Sequence, residues 1–175
     1  NDTIYGYGGY DSLDGGIGND LIDARSAAGP TTYSSSNING GLGNDVIFGN
    51  LTGDNYINGG VGSDTINGGE GYDSINDVGN SNWDAISLDG SDTIYAAGGD
   101  DYITLEGVGD DTAFGGGGND YFNVRKDNGG KAYVYGDLGN DEFYISTWLN
   151  SNSLSEFLYI SGGDGSDKFR ISSTG

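Results

Sequence analysis

The sequence predicts an all-β chain wound into a right-handed parallel β-roll, a β-solenoid of short strands joined by Gly-Asp turns. Three observations predict it. The hexapeptide Gly-Gly-x-Gly-x-Asp recurs along the chain, a large apolar residue stands two places after each of its Asp residues, and the recurrence has a period of nine, as in Asp2, Asp11 and Asp20. Self-similarity at a short fixed period marks a chain that stacks equivalent units, each burying its apolar side against its neighbours.

Each nonapeptide divides into a six-residue turn and a three-residue strand. Adjacent glycines let the turn take positive φ and let carbonyl oxygens approach closely, while the x-U-x remainder (U large and apolar) alternates out, in, out. Two nonapeptides make one coil, so turns on one side recur about every 18 residues. The first intact copy is Gly15, Gly16, Gly18 and Asp20, followed by Ile22. Next come Gly40, Gly41, Gly43 and Asp45 with Ile47, then Gly59, Gly60, Gly62 and Asp64 with Ile66. Gly68, Gly69, Gly71 and Asp73 lead to Ile75, and Gly115, Gly116, Gly118 and Asp120 lead to Phe122. The sixth is Gly162, Gly163, Gly165 and Asp167 with Phe169. Degenerate copies lie between them: Gly6 to Asp11, Ala96 to Asp101, Glu106 to Asp111 and Gly136 to Asp141. In 49–58 one residue is inserted and Asn55 stands where Asp is expected, its carbonyl oxygen offering a weaker ligand. Asp84 and Asp92 precede Ile86 and Ile94 but have lost most of their glycines. The inward positions Ile4, Leu13, Ile22, Ile47, Ile57, Ile66, Ile75, Ile86, Ile94, Ile103, Phe122, Phe143 and Phe169 are the expected core.

Such a core is thin, and the charge works against it. The 175 residues carry 27 Asp plus Glu against 6 Lys plus Arg, a formal net charge of −21. That balance with 36 Gly ordinarily marks disorder, yet 13 Tyr and the recurrent Ile need somewhere to pack. The chain is therefore expected to fold only when a cation cancels its charge, and hard carboxylate oxygens select calcium or magnesium. The absence of His and Cys from the sequence excludes thiolate zinc sites, disulfides and Ser-His or Cys-His nucleophile pairs. Its acidity disfavours nucleic acid, and no apolar run reaches transmembrane length.

The six nonapeptides in register resemble the RTX (repeats-in-toxin) family, whose unit is Gly-Gly-x-Gly-x-Asp-x-U-x. The resemblance implies several Ca2+ ions, each between two turns of one side, held by Gly-loop carbonyls and an Asp from each turn. It pairs Asp2 with Asp20, Asp45 with Asp64, Asp92 with Asp111, Asp101 with Asp120, and Asn55 with Asp73. The candidate metal residues are the glycines and aspartates of the intact turns, with Asp2, Asp11, Asn55, Asp84, Asp92, Asp101, Asp111 and Asp141. Family members leave the cell by type I secretion and fold in extracellular calcium, which implies a secreted or cell-surface location.

The array is read as one unit, 1–175, a piece of a longer protein, broken by irregular insertions near 24–36, 77–83, 124–131 and 145–158. The third carries Arg125, Lys126 and Lys131, half of the positive charge, read as loop. The fourth reads as a short amphipathic helix or a hairpin. Asn39, Asn58, Asn67 and Asn76 each follow an inward residue and suggest a ladder of hydrogen bonds between coils, and Asn50-Leu51-Thr52 fits a glycosylation sequon. No catalytic residue is assigned, since the carboxylates are committed to ions and the basic residues to loops. The expected role is a calcium-dependent structural module of a surface layer, filament or adhesin, with copies of itself or surface polysaccharide as partners. The alternative is an accessory folding and secretion module of a secreted protease, lipase or epimerase.

Overall fold

In a computed structural model, described over residues 1–25, 34–77, 90–127, 130–148 and 158–173, the chain forms two eight-stranded parallel sheets. One sheet stacks β1 (Thr3–Tyr5), β3 (Leu21–Asp23), β5 (Val46–Phe48), β7 (Thr65–Gly69), β9 (Thr93–Gly98), β11 (Asp111–Gly117), β13 (Ala132–Leu138) and β15 (Leu158–Ser161) in that order. The other stacks β2 (Asp11–Ile17), β4 (Ser36–Leu42), β6 (Asn55–Val61), β8 (Ser74–Asp77), β10 (Tyr102–Gly107), β12 (Tyr121–Asp127), β14 (Glu142–Trp148) and β16 (Lys168–Ser173). The chain alternates between the sheets at every turn, so each coil contributes one strand to each. This is the parallel β-roll that the nine-residue period implies. No helix occurs among the described residues, so none there is long and apolar enough to cross a membrane.

The register places equivalent residues above one another. In the first sheet Ile4, Ile22, Ile47, Ile66, Ile94, Ala113, Val134 and Ile160 form a single inward row. In the second the row runs Leu13, Ile38, Ile57, Ile75, Ile103, Phe122, Phe143 and Phe169. All but the residues near the two ends are buried. Where the second row changes to Phe, the first changes to Ala113 and Val134, so bulky and small side chains occupy the same coils and the volume between the sheets is kept. Phe122 stacks on Phe143 at 4.9 Å between ring centroids, and Phe143 on Phe169 at 4.8 Å.

Two stretches read as insertions are strand in part. β12 runs through Arg125 and Lys126 to Asp127, and β14 runs to Trp148. The reason is a second inward row: Leu105, Val124 and Ile145 are in register and buried, so the alternation begun at Phe122 and Phe143 continues for one more step. Many strands are accordingly longer than three residues. β4 and β6 each extend seven residues and take in the first two glycines of the next turn. The helix-or-hairpin expectation and Asp84 with Ile86 fall outside the described residues. Asn50, the sequon residue, is buried with its Nδ2 hydrogen-bonded to Ser34 Oγ, which removes it as a glycosylation acceptor in this fold.

Candidate metal centre

The turn Gly40–Asp45 shows what each glycine position requires. Gly41 and Gly43 have φ of 109° and 131°, a region that a Cβ makes costly. Gly40 needs to be bare for another reason. A Cβ there would lie 2.6 Å from Asp45 Oδ2 and would collide with the carbonyl oxygen of Gly59, the first glycine of the next turn on that side. A carboxylate oxygen and a carbonyl oxygen thus converge on one exposed patch of backbone. The same convergence recurs at Gly15, against Asp20 Oδ2 and the Gly40 carbonyl.

The turn aspartates form two columns, one at each edge of the roll. The first contains Asp2, Asp20, Asp45, Asp64, Asp92 and Asp111. Each backbone N–H donates to Oδ1 of the next: Asp20 to Asp45 at 2.7 Å, Asp45 to Asp64 at 2.8 Å, Asp92 to Asp111 at 3.0 Å, and Asp64 to Asp92 at a shorter distance. The second column runs Asn55, Asp73, Asp101, Asp120, Asp141 and Asp167, linked likewise at 2.8–3.0 Å. Asp11 and Ser36 precede Asn55 in it by strand register. All five pairs that the resemblance implies are neighbours in these columns. The columns also continue across the insertions, joining Asp20 to Asp45 and Asp64 to Asp92 in unbroken register.

One oxygen of each carboxylate is therefore satisfied. The other is not: among the described residues Oδ2 of Asp20, Asp45, Asp73, Asp92, Asp101, Asp120 and Asp141 is buried without a hydrogen-bond donor. Burial among like charges carries a cost that shows in their acidity. Desolvation pushes Asp73, Asp101 and Asp120 up to about 7, with repulsion from nearby aspartates adding to it at all three. Asp45 and Asp141 are also raised, again chiefly by desolvation. A donor set made only of carboxylate and carbonyl oxygens, anionic and buried, fits a hard divalent cation and suits calcium's tolerance of irregular oxygen cages.

A family model for the RTX calcium-binding nonapeptide repeat (four copies) matches residues 1–27, 34–51, 51–75, 86–107 and 107–130, well over half of the chain. The chain belongs to the RTX calcium-binding repeat family. Its repeats bind calcium, several ions to the array, and form a structural module rather than a catalytic one, of a kind found in secreted bacterial proteins. No curated protein matches the sequence. The RTX register continues beyond the matched segments, since β13 to β16 keep the pairing of the earlier coils.

Three features of the RTX turns were not expected. Asn55 lies in its column, but its Nδ2 donates to the carbonyls of Asn50 (3.1 Å), Gly53 (2.9 Å) and Gly68 (3.3 Å) and to Asp73 Oδ1 (2.9 Å). The side chain supplies a donor to the oxygens around it, the opposite of the ligand role expected from its carbonyl. The second feature is an outer ladder at the residue before each Asp. Asn19 Oδ1 accepts the N–H of Asn44, Asn44 Oδ1 that of Ser63, and Ser63 Oγ that of Ser91. On the other edge Asp100, Asn119 and Asn140 accept in the same way from Asn119, Asn140 and Ser166. The signal was present as Gly-Asn-Asp, Gly-Ser-Asp and Gly-Asp-Asp, which fill the supposedly variable fifth position with short acceptors. Third, Asp77 is buried within reach of Asp92 and Asp111, with one carboxylate oxygen of each lying within 4.8 Å of the others. The Asn ladder is real in part: Asn58 donates to Asn39, and Asn39 to Asp14.

Proposed function

We propose that the chain is a calcium-dependent structural module of a secreted or cell-surface bacterial protein, a component of a surface layer, filament or adhesin that folds when it meets calcium outside the cell. The ligands in this reading are the turn aspartates, through Oδ2, and the carbonyl oxygens of the glycine positions facing them. The observation that carries it is the pair of carboxylate columns, in which Asp20, Asp45, Asp73, Asp92, Asp101, Asp120 and Asp141 each have one oxygen held by a neighbouring coil and the other buried without a donor. Neighbouring carboxylates one strand spacing apart, about 5 Å, repel by roughly 3 kcal/mol per pair at an effective dielectric near 20. A chain with so slender a core has little with which to offset that, so the ion supplies folding free energy. A Cys-free acidic sequence that stays open in low calcium suits export before folding.

The partner class is further copies of the chain. Static light scattering from chelator to millimolar calcium tests this: growth into large particles that chelator dissolves is the expected result. A chain that compacts with calcium but stays a monomer would instead assign it to the accessory module of a secreted enzyme or a spacer, and would sink the assembly reading.

A further inference from the structure

All three basic residues of 124–131 converge on one turn. Glu106–Asp111 is the degenerate copy in which Glu replaces the first glycine and an extra acid, Asp110, precedes the column aspartate. Arg125 pairs with Glu106 Oε1 at 3.1 Å, and Lys131 with Asp110 at 3.3 Å. Lys126 is buried, and its Nζ binds Asp111 Oδ2 at short range and the carbonyls of Glu106 and Gly109, both at 3.3 Å. Three acids of one turn thus meet three cations of the next coil.

The position of Nζ matters more than the charge count. The carbonyls it contacts belong to the first and fourth residues of the turn, and the carboxylate oxygen is the Oδ2 that has no donor at Asp20, Asp45 and Asp92 in the same column. The far side of the site explains why a divalent ion is not needed. Strand register places Ala132 opposite Asp111, where every earlier coil of this column has Asp, and the Asp111 N–H donates to the Lys131 carbonyl instead of to a carboxylate. With no carboxylate contributed by the next coil, an ammonium group with three donors satisfies three oxygens at this step. Asn55 repeats the substitution in weaker form in the other column, with an amide donor where Asp has been lost.

We propose that Lys126 is a built-in replacement for calcium, a covalently supplied cation that closes the first column at Asp111, with Arg125 and Lys131 neutralising the two flanking acids. At this one step the roll is held by the chain's own charge and is indifferent to calcium supply. The inference rests on the turn oxygens being the calcium ligands, and the ion count of the unaltered protein tests that point by itself: an array that binds no calcium would remove the ligand reading, whereas the variants below bear on Lys126 alone.

The experiment counts calcium bound per chain, in the unaltered protein and two variants, at saturating calcium. Ala132→Asp restores the missing carboxylate but leaves the lysine, and the expected count equals that of the unaltered protein. Ala132→Asp with Lys126→Met vacates the place, and the expected count is one ion higher. A gain in the single variant, or none in the double variant, overturns the proposal. Should either variant fail to fold, lysine acylation of the calcium-loaded unaltered chain decides: Lys126 should react at least about tenfold more slowly than Lys131 and Lys168, as a group reached only by local opening does. Equal rates at the three lysines overturn it.

Discussion

At the scale of single residues, this chain separates two demands usually credited together to glycine. The first glycine of a turn must lack a Cβ because oxygens converge on it, and the second must accept positive φ. Degenerate turns relax one demand or the other, and at Ala96 and Glu106 it is the first position that has lost its glycine. Tyr7, Ala97 and Asp137 hold the second position at φ of 61°, 84° and 69°. Such residues carry strain on the order of 1 kcal/mol or more. Ala97→Gly should therefore raise the unfolding free energy of the calcium-loaded protein by about 1 kcal/mol. Gly60→Ala should lower it by at least about 2 kcal/mol, because φ is 104° and the new methyl would meet the Gly41 amide nitrogen at 2.8 Å and its carbonyl oxygen more closely still. Denaturant titration of both variants checks the pair, and a destabilising Ala97→Gly or a neutral Gly60→Ala would contradict this account of the second position.

At the scale of elements, the column of aspartates behaves as a unit, and pH reports on it. The folded-state acidity of Asp73, Asp101 and Asp120 lies near 7, against about 3.9 for Asp in an unfolded chain. The folded, calcium-free roll therefore binds more protons than the unfolded chain. Their contribution to its stability is fully present below about pH 4 and lost as pH rises through about 7. In chelator, β structure measured by circular dichroism should increase as pH falls from 8 towards 4, and β structure that is flat or declines over that range would contradict it. With calcium present the same protons compete with the ion, so apparent calcium affinity should weaken as pH falls below 7.

Much of this level was legible in the sequence, because one nonapeptide specifies turn, ligand and inward residue together. Column neighbours such as Asp45 and Asp64 follow from counting two repeats. What was missed has a physical cause. Val124 and Ile145 continue an inward alternation after the Gly-Asp signal has ended, so β12 and β14 read as irregular where they are strand. Lys126 carried no nonapeptide signature, and its role depends on register with a turn 15 to 20 residues earlier. Asn55 shows that residue type fixes capacity but not direction, since its amide turned its nitrogen to the carbonyls.

At the scale of the whole molecule, two thin sheets are tied along both edges by charge, and their inner rows supply a continuous but narrow apolar filling. Stability in such a solenoid is close to a sum over coils and their interfaces. Removing the cations weakens every interface that depends on them at once, leaving the step held by Lys126. In the function proposed above, folding and calcium binding are one event for the array, giving a chain open in low calcium and rigid in high calcium. The most direct test is far-UV circular dichroism of the chain titrated with calcium from a chelated start at neutral pH. A cooperative rise of β signal from a largely unfolded spectrum, reversed by chelator, is the predicted result. A full β spectrum already present in chelator, unchanged by calcium, would contradict the account.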